Sequence, residues 1–251
     1  KDTQTDLLFC EIKTDGETVY VGQEIGLTLE IWIRQYQQAG LGALVANEMW
    51  NLLARNRQAS SLGVFDKVDW GSTKYSETNR PDAQGASSKY FIFTMKTTVC
   101  PSREGPFDFG GVAIACEYPK RLARGFFGLE LADVRRLRAA AKTPELQVLP
   151  IPTEGRPADF SGAVGRYEIV TTAKPTEVPV GDPITLSLRI KGDSSLDQLL
   201  PPKLSQVEAL TQDFDVSGES LAGEIEGSHK VFSQTIRPLR EDVTQIPPIP
   251  I

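Results

Sequence analysis

One thirteen-residue pattern, V-x-V-G-x-x-I-x-L-x-L-x-I, occurs twice in this chain, at residues 19–31 and again at residues 178–190. After the glycine, every second position is apolar, which places those side chains on one face of an extended strand. A strand with one buried and one wet face is typical of an antiparallel sandwich. The glycine marks the turn into each strand, because it adopts a positive φ without steric cost. The repeat therefore predicts an all-β chain that contains two related units.

A second correspondence closes each copy of the repeat and reveals extra sequence in the first. Phe93 is followed by Pro101 and a charged turn, and Phe232 is followed in the same way by Pro238. From the repeat glycine to the arginine of this turn, the first copy advances 81 positions and the second 59. The first copy thus carries 22 additional residues.

The length and composition of the chain are compatible with two medium-sized domains. The chain has 251 residues, of which 40% are hydrophobic, enough for one large or two medium cores. We predict an elaborated domain at 1–148, a proline-rich linker at 149–159 and a second domain at 160–251, whose last strand is expected beyond this sequence. The net charge of −6 arises from residues 159–251, which argues against nucleic acid as a partner.

Strands are predicted where apolar and β-branched residues alternate or cluster between turn signals. Residues 71–88 are polar and contain Gly and Ser, which predicts an exposed hairpin loop. The predicted strands are 7–14, 18–34, 62–70, 88–100, 107–118 and one near 145–149 in the first domain, and 167–173, 184–190, 214–217 and 230–237 in the second.

An amphipathic helix of about the size of the insertion is predicted within residues 38–57. Apolar residues recur there at helical spacing, with polar side chains on the opposite side. A helix inserted in a β domain either covers the core or serves as a docking helix for a partner. Trp50 and Arg55 of this segment belong to a predicted interaction surface.

Residues 120–142 differ from the rest of the chain because they are strongly basic. The segment holds seven Lys or Arg against two Asp or Glu, and two adjacent phenylalanines interrupt it. We predict a long solvated loop with a short helix at 133–141. Alternatively, the basic stretch and its aromatic residues bind an anionic surface such as phospholipid headgroups. The predicted interaction surface is completed by Phe126, Phe127, Arg135, Arg136 and Arg138.

No constellation of residues in the sequence indicates a catalytic, cofactor or metal site. Cys10, Cys100 and Cys116 show no C-x-x-C spacing, and the single histidine, His229, has no Cys or His beside it, so a zinc site is not indicated. Nucleotide-binding glycine motifs and a nucleophile elbow are also absent from the sequence. The second and third cysteines either pair across neighbouring strands or remain free buried thiols. We therefore predict a protein that is not an enzyme and has no cofactor.

Several motifs in the second half of the chain carry a family resemblance. They are L-P-I-P-x-x-G-R-P-A-D-F-S-G-A-V-G at 149–165, P-T-E-V-x-V-G-D-P-I-T-L at 175–186, L-P-P-K-L at 200–204 and I-P-P-I at 246–249. These motifs are similar to those of the BatD-type oxygen-tolerance (aerotolerance) family of bacteria. In the first domain, only the repeat strand and F-D-F-G-G at 107–111 resemble this family.

The resemblance implies a membrane-anchored, non-enzymatic protein that faces the periplasm or the cell exterior. Members of the family have tandem immunoglobulin-like domains, and the resemblance implies a signal peptide and a C-terminal transmembrane helix outside this fragment. It also implies von Willebrand factor A-domain proteins and a MoxR-type ATPase system as partners, in stress tolerance or envelope-complex assembly.

The combined prediction is an all-β fold of two tandem immunoglobulin-like β-sandwich domains, the first with a helical insertion. The predicted function is an extracytoplasmic scaffold or protein-interaction module. The alternative is a carbohydrate- or matrix-binding adhesion module, which exposed coplanar aromatic rings on one sheet would favour. Trp32, Trp50 and Trp70 are the candidates for such a platform.

Overall fold

The structure of the protein is a computed structural model. It describes residues 4–81, 85–126, 128–156, 160, 163–192, 196, 199–217 and 223–249. Of the residues that the structure describes, 50% lie in strands and 12% in helices. The prediction of an all-β fold is therefore confirmed at the level of fold class.

The described residues form three α-helices, four single 3-10 turns and sixteen strands. The helices are α1 (Gln4–Leu7), α2 (Ala46–Ala54) and α3 (Glu208–Thr211), and single 3-10 turns lie at Arg57–Ala59, Gly63–Phe65, Trp70–Ser72 and Leu204–Gln206. The strands are β1 (Leu8–Thr14), β2 (Thr18–Tyr20), β3 (Ile25–Arg34), β4 (Gln37–Gln38), β5 (Gly42–Ala43), β6 (Lys74–Pro81), β7 (Ser87–Val99), β8 (Gly105–Pro106), β9 (Ala113–Gly125), β10 (Gly128–Lys142), β11 (Gln147–Leu149), β12 (Tyr167–Lys174), β13 (Ile184–Gly192), β14 (Phe214–Val216), β15 (Glu224–Glu226) and β16 (His229–Pro238).

The chain folds into two compact units. Unit 1 comprises 1–19, 25–99 and 105–148, and unit 2 comprises 20–24, 100–104 and 149–251. The described strands of unit 1 form a six-stranded sheet in the order β6-β7-β3-β1-β10-β9. Its pairs are antiparallel except for β1 and β10, which run parallel. A small sheet has the order β2-β11-β8.

The core of unit 1 follows from the alternation in its strands. In β3, every second side chain from Ile25 to Ile33 is buried, whereas the side chains between them are half-buried. Helix α2 packs on the buried face through Met49, Leu52 and Leu53, and it contacts β7 and β9. At its start, the Glu48 carboxylate accepts a hydrogen bond of 2.8 Å from the Val45 N–H, which satisfies one of the donors that a helix terminus leaves unpaired.

Unit 2 is built around a smaller sheet with the order β12-β13-β16-β14, and β15 also pairs with β16. Leu186 and Leu188 of β13 and Phe232 and Ile236 of β16 are fully buried. Leu210 of α3 is fully buried in the same cluster. Alternation in two adjacent strands thus places the apolar side chains of this unit on one face.

The two copies of the repeat have the same strand register. Strand β1 pairs with β3 and β12 pairs with β13, both antiparallel. Equivalent repeat positions have equivalent partners, as the registers Thr14–Leu27 and Leu8–Ile33 in unit 1 and Ala173–Leu186 and Tyr167–Gly192 in unit 2 show. The next ladder continues the match, because Ile25 lies opposite Val99 and Ile184 lies opposite Ile236.

The glycine and the closing proline of each copy are joined by a backbone hydrogen bond. Gly22 and Gly181 both have a φ of +83°, a conformation that favours glycine. The Gly22 N–H donates to the carbonyl of Pro101, and the Gly181 N–H donates to the carbonyl of Pro238, both at 2.9 Å. In each copy, the turn glycine and the closing proline are therefore in direct contact.

The additional residues of the first copy lie in two places. Lys74 of β6 lies opposite Thr94, 20 positions later, whereas Glu224 of β15 lies opposite Val231, 7 positions later. Thirteen of the 22 additional residues therefore lengthen the β6–β7 hairpin, and the remaining nine precede β6. Helix α2 lies within the predicted 38–57 segment, but the segment begins with the β4–β5 hairpin.

Two local predictions for unit 1 are wrong. Residues 62–70 contain a 3-10 turn instead of a strand, because Gly63 has a φ of +51°. The polar stretch 71–88 is predicted as a loop, but it contributes β6, an edge strand whose side chains are mostly exposed and which backbone pairing with β7 maintains. Residues 82–84, between these strands, lie outside the described part of the chain.

The basic segment also differs from the prediction. Residues 120–142 form most of the β9–β10 hairpin, with neither the predicted long loop nor the helix at 133–141. Leu137 and Ala139 are buried while Arg136 and Arg138 are exposed, which is the period of a strand. Alanine, arginine and leucine favour helices in isolation, but pairing with β9 and β1 overrides that preference.

Candidate interaction surfaces

The predicted interaction residues on helix α2 lie on different sides of the helix. The Trp50 ring packs 4.8 Å from the Phe93 ring and 5.1 Å from the Trp70 ring, measured between centroids. Trp50 is half-buried, and Arg55 at the end of the helix is exposed. Of the two interpretations of this helix, core cover agrees with its packing.

The three tryptophans do not form one platform. Trp32 stacks on Phe9 with ring centroids 5.1 Å apart and an angle of 21° between the ring planes. Trp50 packs against both Trp70 and Phe93, and Ile92, the residue before Phe93, lies opposite Trp32. Because adjacent strand residues point to opposite faces, Trp32 is on one face of the sheet and the other two are on the opposite face.

The other residues of the predicted interaction surface belong to the β9–β10 hairpin, where they lie at separate places. Phe126 lies in its turn and is 94% exposed, and Phe127 lies outside the described residues. Arg136 and Arg138 share the exposed side of β10, where Arg136 pairs with Glu117 at 3.4 Å. The Arg138 guanidinium donates to the Ala59 carbonyl.

Arg135 lies on the opposite side of β10 from these two arginines. It is half-buried and lines a cavity with the end of β3 and the start of β7. The predicted surface is therefore not one continuous site. Its arginines face two separate places on unit 1.

An exposed sheet edge is the most prominent surface of unit 2. Strand β12 is the terminal strand of its sheet and pairs on one side with β13. No described residue pairs with its other side. Six of its eight residues are exposed, and these include Ile169 at 40% and Val170 at 50%. The sequence pattern identifies its neighbour β13 as a half-buried strand. It does not identify β12 as an exposed edge, because β12 shows no amphipathic alternation of its own.

The three cysteines are reduced thiols in two different environments. Cys10 and Cys116 are buried, and Cys100 is half-buried with its Sγ donating to the Gly22 carbonyl at 3.0 Å. Burial raises the pKa of Cys10 and of Cys116 to about 12. The thiolate, which is the reactive form, is therefore negligible at both buried sites near neutral pH.

We expect iodoacetamide at about pH 8 to alkylate Cys100 first, with Cys10 and Cys116 at least tenfold slower, because only a thiolate reacts. Mass spectrometry of tryptic peptides over a time course measures the three rates separately. In urea all three rates should converge, which serves as the control. Equal labelling of the three thiols in the folded protein would contradict the buried positions of Cys10 and Cys116.

Within the described residues, no three His, Cys, Asp or Glu side chains come together in a group that could hold a metal ion. None of the described helices is both long enough and apolar enough to cross a membrane.

The comparisons with known proteins found no relative of this chain. No protein-family model matches the chain, and no curated protein matches it significantly. The resemblance to the BatD-type family therefore stays a prediction that depends on the motifs quoted above.

Proposed function

We propose that this chain is a non-enzymatic protein-binding module composed of two tandem immunoglobulin-like β-sandwich domains. The observation that carries the proposal is the exposed edge of β12. An edge strand presents a row of unpaired backbone N–H and C=O groups, and an extended segment of a partner can add to it as a further strand. The backbone groups supply affinity in this mode, and alternate side chains supply specificity.

The side chains of β12 suit strand addition on both faces. Ile169 lies opposite Ile190 and Val170 opposite Arg189, so the two apolar residues point to opposite sides of the sheet. Four consecutive residues, Ile169 to Thr172, are β-branched, as strands prefer. The charged residues Glu168 and Lys174 lie near the two ends of the strand and leave this apolar centre uncharged.

The repeated registers support the assignment of two domains of one type. In each copy, a three-strand arrangement, β1-β3-β7 or β12-β13-β16, is closed by the same glycine–proline hydrogen bond. Antiparallel sheets with one buried face are the building blocks of sandwiches of the immunoglobulin class. The immunoglobulin-like topology of each domain is part of the proposal.

The partner class follows from the family resemblance. We propose a BatD-like protein at the periplasmic or outer face of a bacterial membrane, with a von Willebrand factor A-domain protein as the partner that adds to β12. A MoxR-type ATPase would act in the same system. The scaffold would hold the A-domain protein while envelope complexes assemble.

Proline substitutions at two adjacent positions of β12 test this proposal. In an antiparallel edge strand, the N–H groups of alternate residues point into the ladder and away from it. Of Thr171→Pro and Thr172→Pro, one variant therefore loses a ladder hydrogen bond and the other loses only an outward donor. We expect the variant that keeps the wild-type melting temperature to bind the purified A-domain protein about tenfold more weakly or worse, measured by calorimetry.

The two variants are matched controls for each other, because they introduce the same residue one position apart. Undiminished binding by the variant that melts like the wild type would exclude β12 as the binding edge. Absence of binding by the wild-type chain would instead exclude the A-domain protein as the partner. Hydrogen exchange across β12 in the complex distinguishes strand addition from contact elsewhere, since strand addition protects the outward amides.

A further inference from the structure

A basic cavity of about 520 Å³ lies at one end of the six-stranded sheet of unit 1. Its wall is formed by the end of β3, the residues after it, the start of β7 and the β9–β10 hairpin. Four cationic side chains line it, and no Asp or Glu is present among the described residues of its lining. These four residues are Arg34, Lys89, Lys120 and Arg135.

Two tyrosines hold the wall of this cavity in place. The Tyr118 hydroxyl donates to the Arg34 carbonyl at 3.0 Å, and the Tyr36 hydroxyl donates to the Lys120 carbonyl at 2.9 Å. Their rings meet edge to face with centroids 5.9 Å apart. Burial raises the pKa of Tyr36, so its hydroxyl remains a proton donor at neutral pH. The backbones that carry the cations are therefore fixed before any ligand arrives, which reduces the entropic cost of binding.

The two lysines have acidic neighbours that a ligand can replace. Lys89 pairs with Glu77 at 2.6 Å, and Lys120 lies 3.7 Å from Asp133. The side chains of the two lysines and of their two acidic partners are between 39% and 55% exposed. Exposed ion pairs of this kind contribute little to stability. An incoming carboxylate can thus compete for either lysine at low cost.

The shape and the donors of the cavity indicate which anion fits. Arg34 and Arg135 are half-buried inside the recess, and the planar fork of an arginine matches the two oxygens of a carboxylate. Gln35, Gln37 and Ser87 add neutral hydrogen-bonding groups to the lining, which suit the backbone of a peptide. A flat membrane surface does not enter a recess, whereas one extended segment does.

We propose that this cavity binds an acidic segment of a partner protein, with glutamate or aspartate carboxylates between the two arginines and the two lysines. The site is independent of the β12 edge in unit 2. Part of its lining, at the start of β7 and on the β9–β10 hairpin, comes from hairpins that the second copy of the repeat lacks or has in shorter form. The cavity is thus an addition to the repeated framework.

A fluorescently labelled hexaglutamate peptide serves as the probe, with binding to the complete chain followed by fluorescence anisotropy at low salt. We expect Arg135→Gln and Lys120→Gln each to weaken binding about tenfold, as loss of one charge-assisted contact does. Added salt should weaken the wild-type complex, because the contacts are ionic. Amide chemical shifts of residues 87–89 and 118–120 should move on titration with the peptide.

Arg136→Gln is the matched control, since it removes the same charge from the adjacent position, which faces away from the cavity. This variant should bind the peptide within about twofold of the wild type, because a distant exposed charge contributes little. Equal losses in Arg135→Gln and Arg136→Gln would overturn the proposal, since they would indicate nonspecific attraction. Arg135→Gln and Lys120→Gln must also retain the wild-type circular dichroism spectrum and melting temperature. If either does not, Arg135→Lys, which keeps the charge but loses the planar fork, should still bind the peptide, although more weakly than the wild type, and loss of all binding would overturn the proposal.

Two other anion sources are tested in parallel. Inorganic phosphate that displaces the peptide at equal molar concentration would overturn the peptide assignment in favour of a small-anion site. Phosphatidylglycerol vesicles that bind the wild type and release Arg135→Gln would overturn it in favour of a membrane headgroup. Binding of the peptide with neither of these outcomes supports the proposed acidic segment.

Discussion

Replacing Phe232 with alanine is expected to lower the free energy of unfolding of unit 2 by about 3–5 kcal/mol, the cost typical of a buried Phe→Ala change. Phe232 is fully buried in β16 and lies opposite Leu188, which is also fully buried. The change removes the ring from the centre of the apolar cluster and leaves a cavity that the surrounding β-sheet backbone cannot easily fill. The loss is a large fraction of the total stability of a domain.

Unit 2 has no tryptophan, so tryptophan fluorescence cannot follow its unfolding. Hydrogen exchange measured by mass spectrometry on peptides from β13 and β16 reports the loss of stability instead. The control is Ile225→Ala, which truncates an apolar side chain that is 52% exposed in the same unit. Its effect should stay within about 0.5 kcal/mol, as for most surface substitutions. A similar loss of protection in both variants would show that Phe232 is not a core residue.

Replacing Gly63 with alanine is expected to destabilise unit 1 by about 3 kcal/mol or more, through backbone strain and a steric clash together. Gly63 has a φ of +51°, and a Cβ there would collide with the backbone of Phe109 and Gly110. The approach is mutual, because a Cβ on Gly110 would lie 2.8 Å from the Gly63 Cα. The Val64 N–H donates to the Phe109 carbonyl at 3.2 Å, so the two segments cannot separate without loss of this bond.

Gly40→Ala separates the two causes. Gly40 has a φ of +79°, but nothing lies within 4 Å of its ideal Cβ position, so alanine there should cost only the left-handed strain of about 1–2 kcal/mol. Urea unfolding followed by tryptophan fluorescence measures both variants, since all three tryptophans belong to unit 1. Equal destabilisation by Gly63→Ala and Gly40→Ala would exclude the close approach of the two backbones.

The parts of the fold that the sequence predicts well are the ones in which side chains and strand period agree. Strands β3 and β13 have apolar residues on alternate positions after a turn glycine, and both are buried on that face. The prolines Pro101 and Pro238 also mark equivalent strands, but the strand registers align Phe232 with Met95, so the pairing of Phe93 with Phe232 is wrong by two positions. In these segments local pattern and tertiary packing require the same conformation.

The parts that sequence predicts poorly depend on pairing more than on burial. Strand β6 has no apolar face and is polar along its length, so its alternation carries no signal. Strand β10 contains strong helix formers, yet it is held between β9 and β1. In both, backbone hydrogen bonds to a distant strand decide the conformation, and no local window of sequence contains that partner.

The candidate sites also depend on strand pairing that the local sequence does not reveal. Adjacent arginines such as Arg135 and Arg136 are one basic cluster in the sequence, but a strand sends them to opposite faces. The basic cavity draws its cations from β3, β7, β9 and β10, so only the folded register brings them together. The half-buried Trp50 packs against Phe93 and Trp70, because it lies beside the apolar side of α2, which turns inward.

The glycine–proline contact has a consequence for how the two copies of the repeat compare. Because both copies keep the same turn, the same φ and the same three-strand register while most other residues differ, the two halves of the chain are two versions of one framework. Comparison of one half with the other separates what the framework requires from what selection left free. The framework requires alternation, a turn glycine and a closing carbonyl. Hairpin length, the helix and the basic strand differ between the two copies, so these parts can carry a binding specificity without disturbing the framework that both copies share.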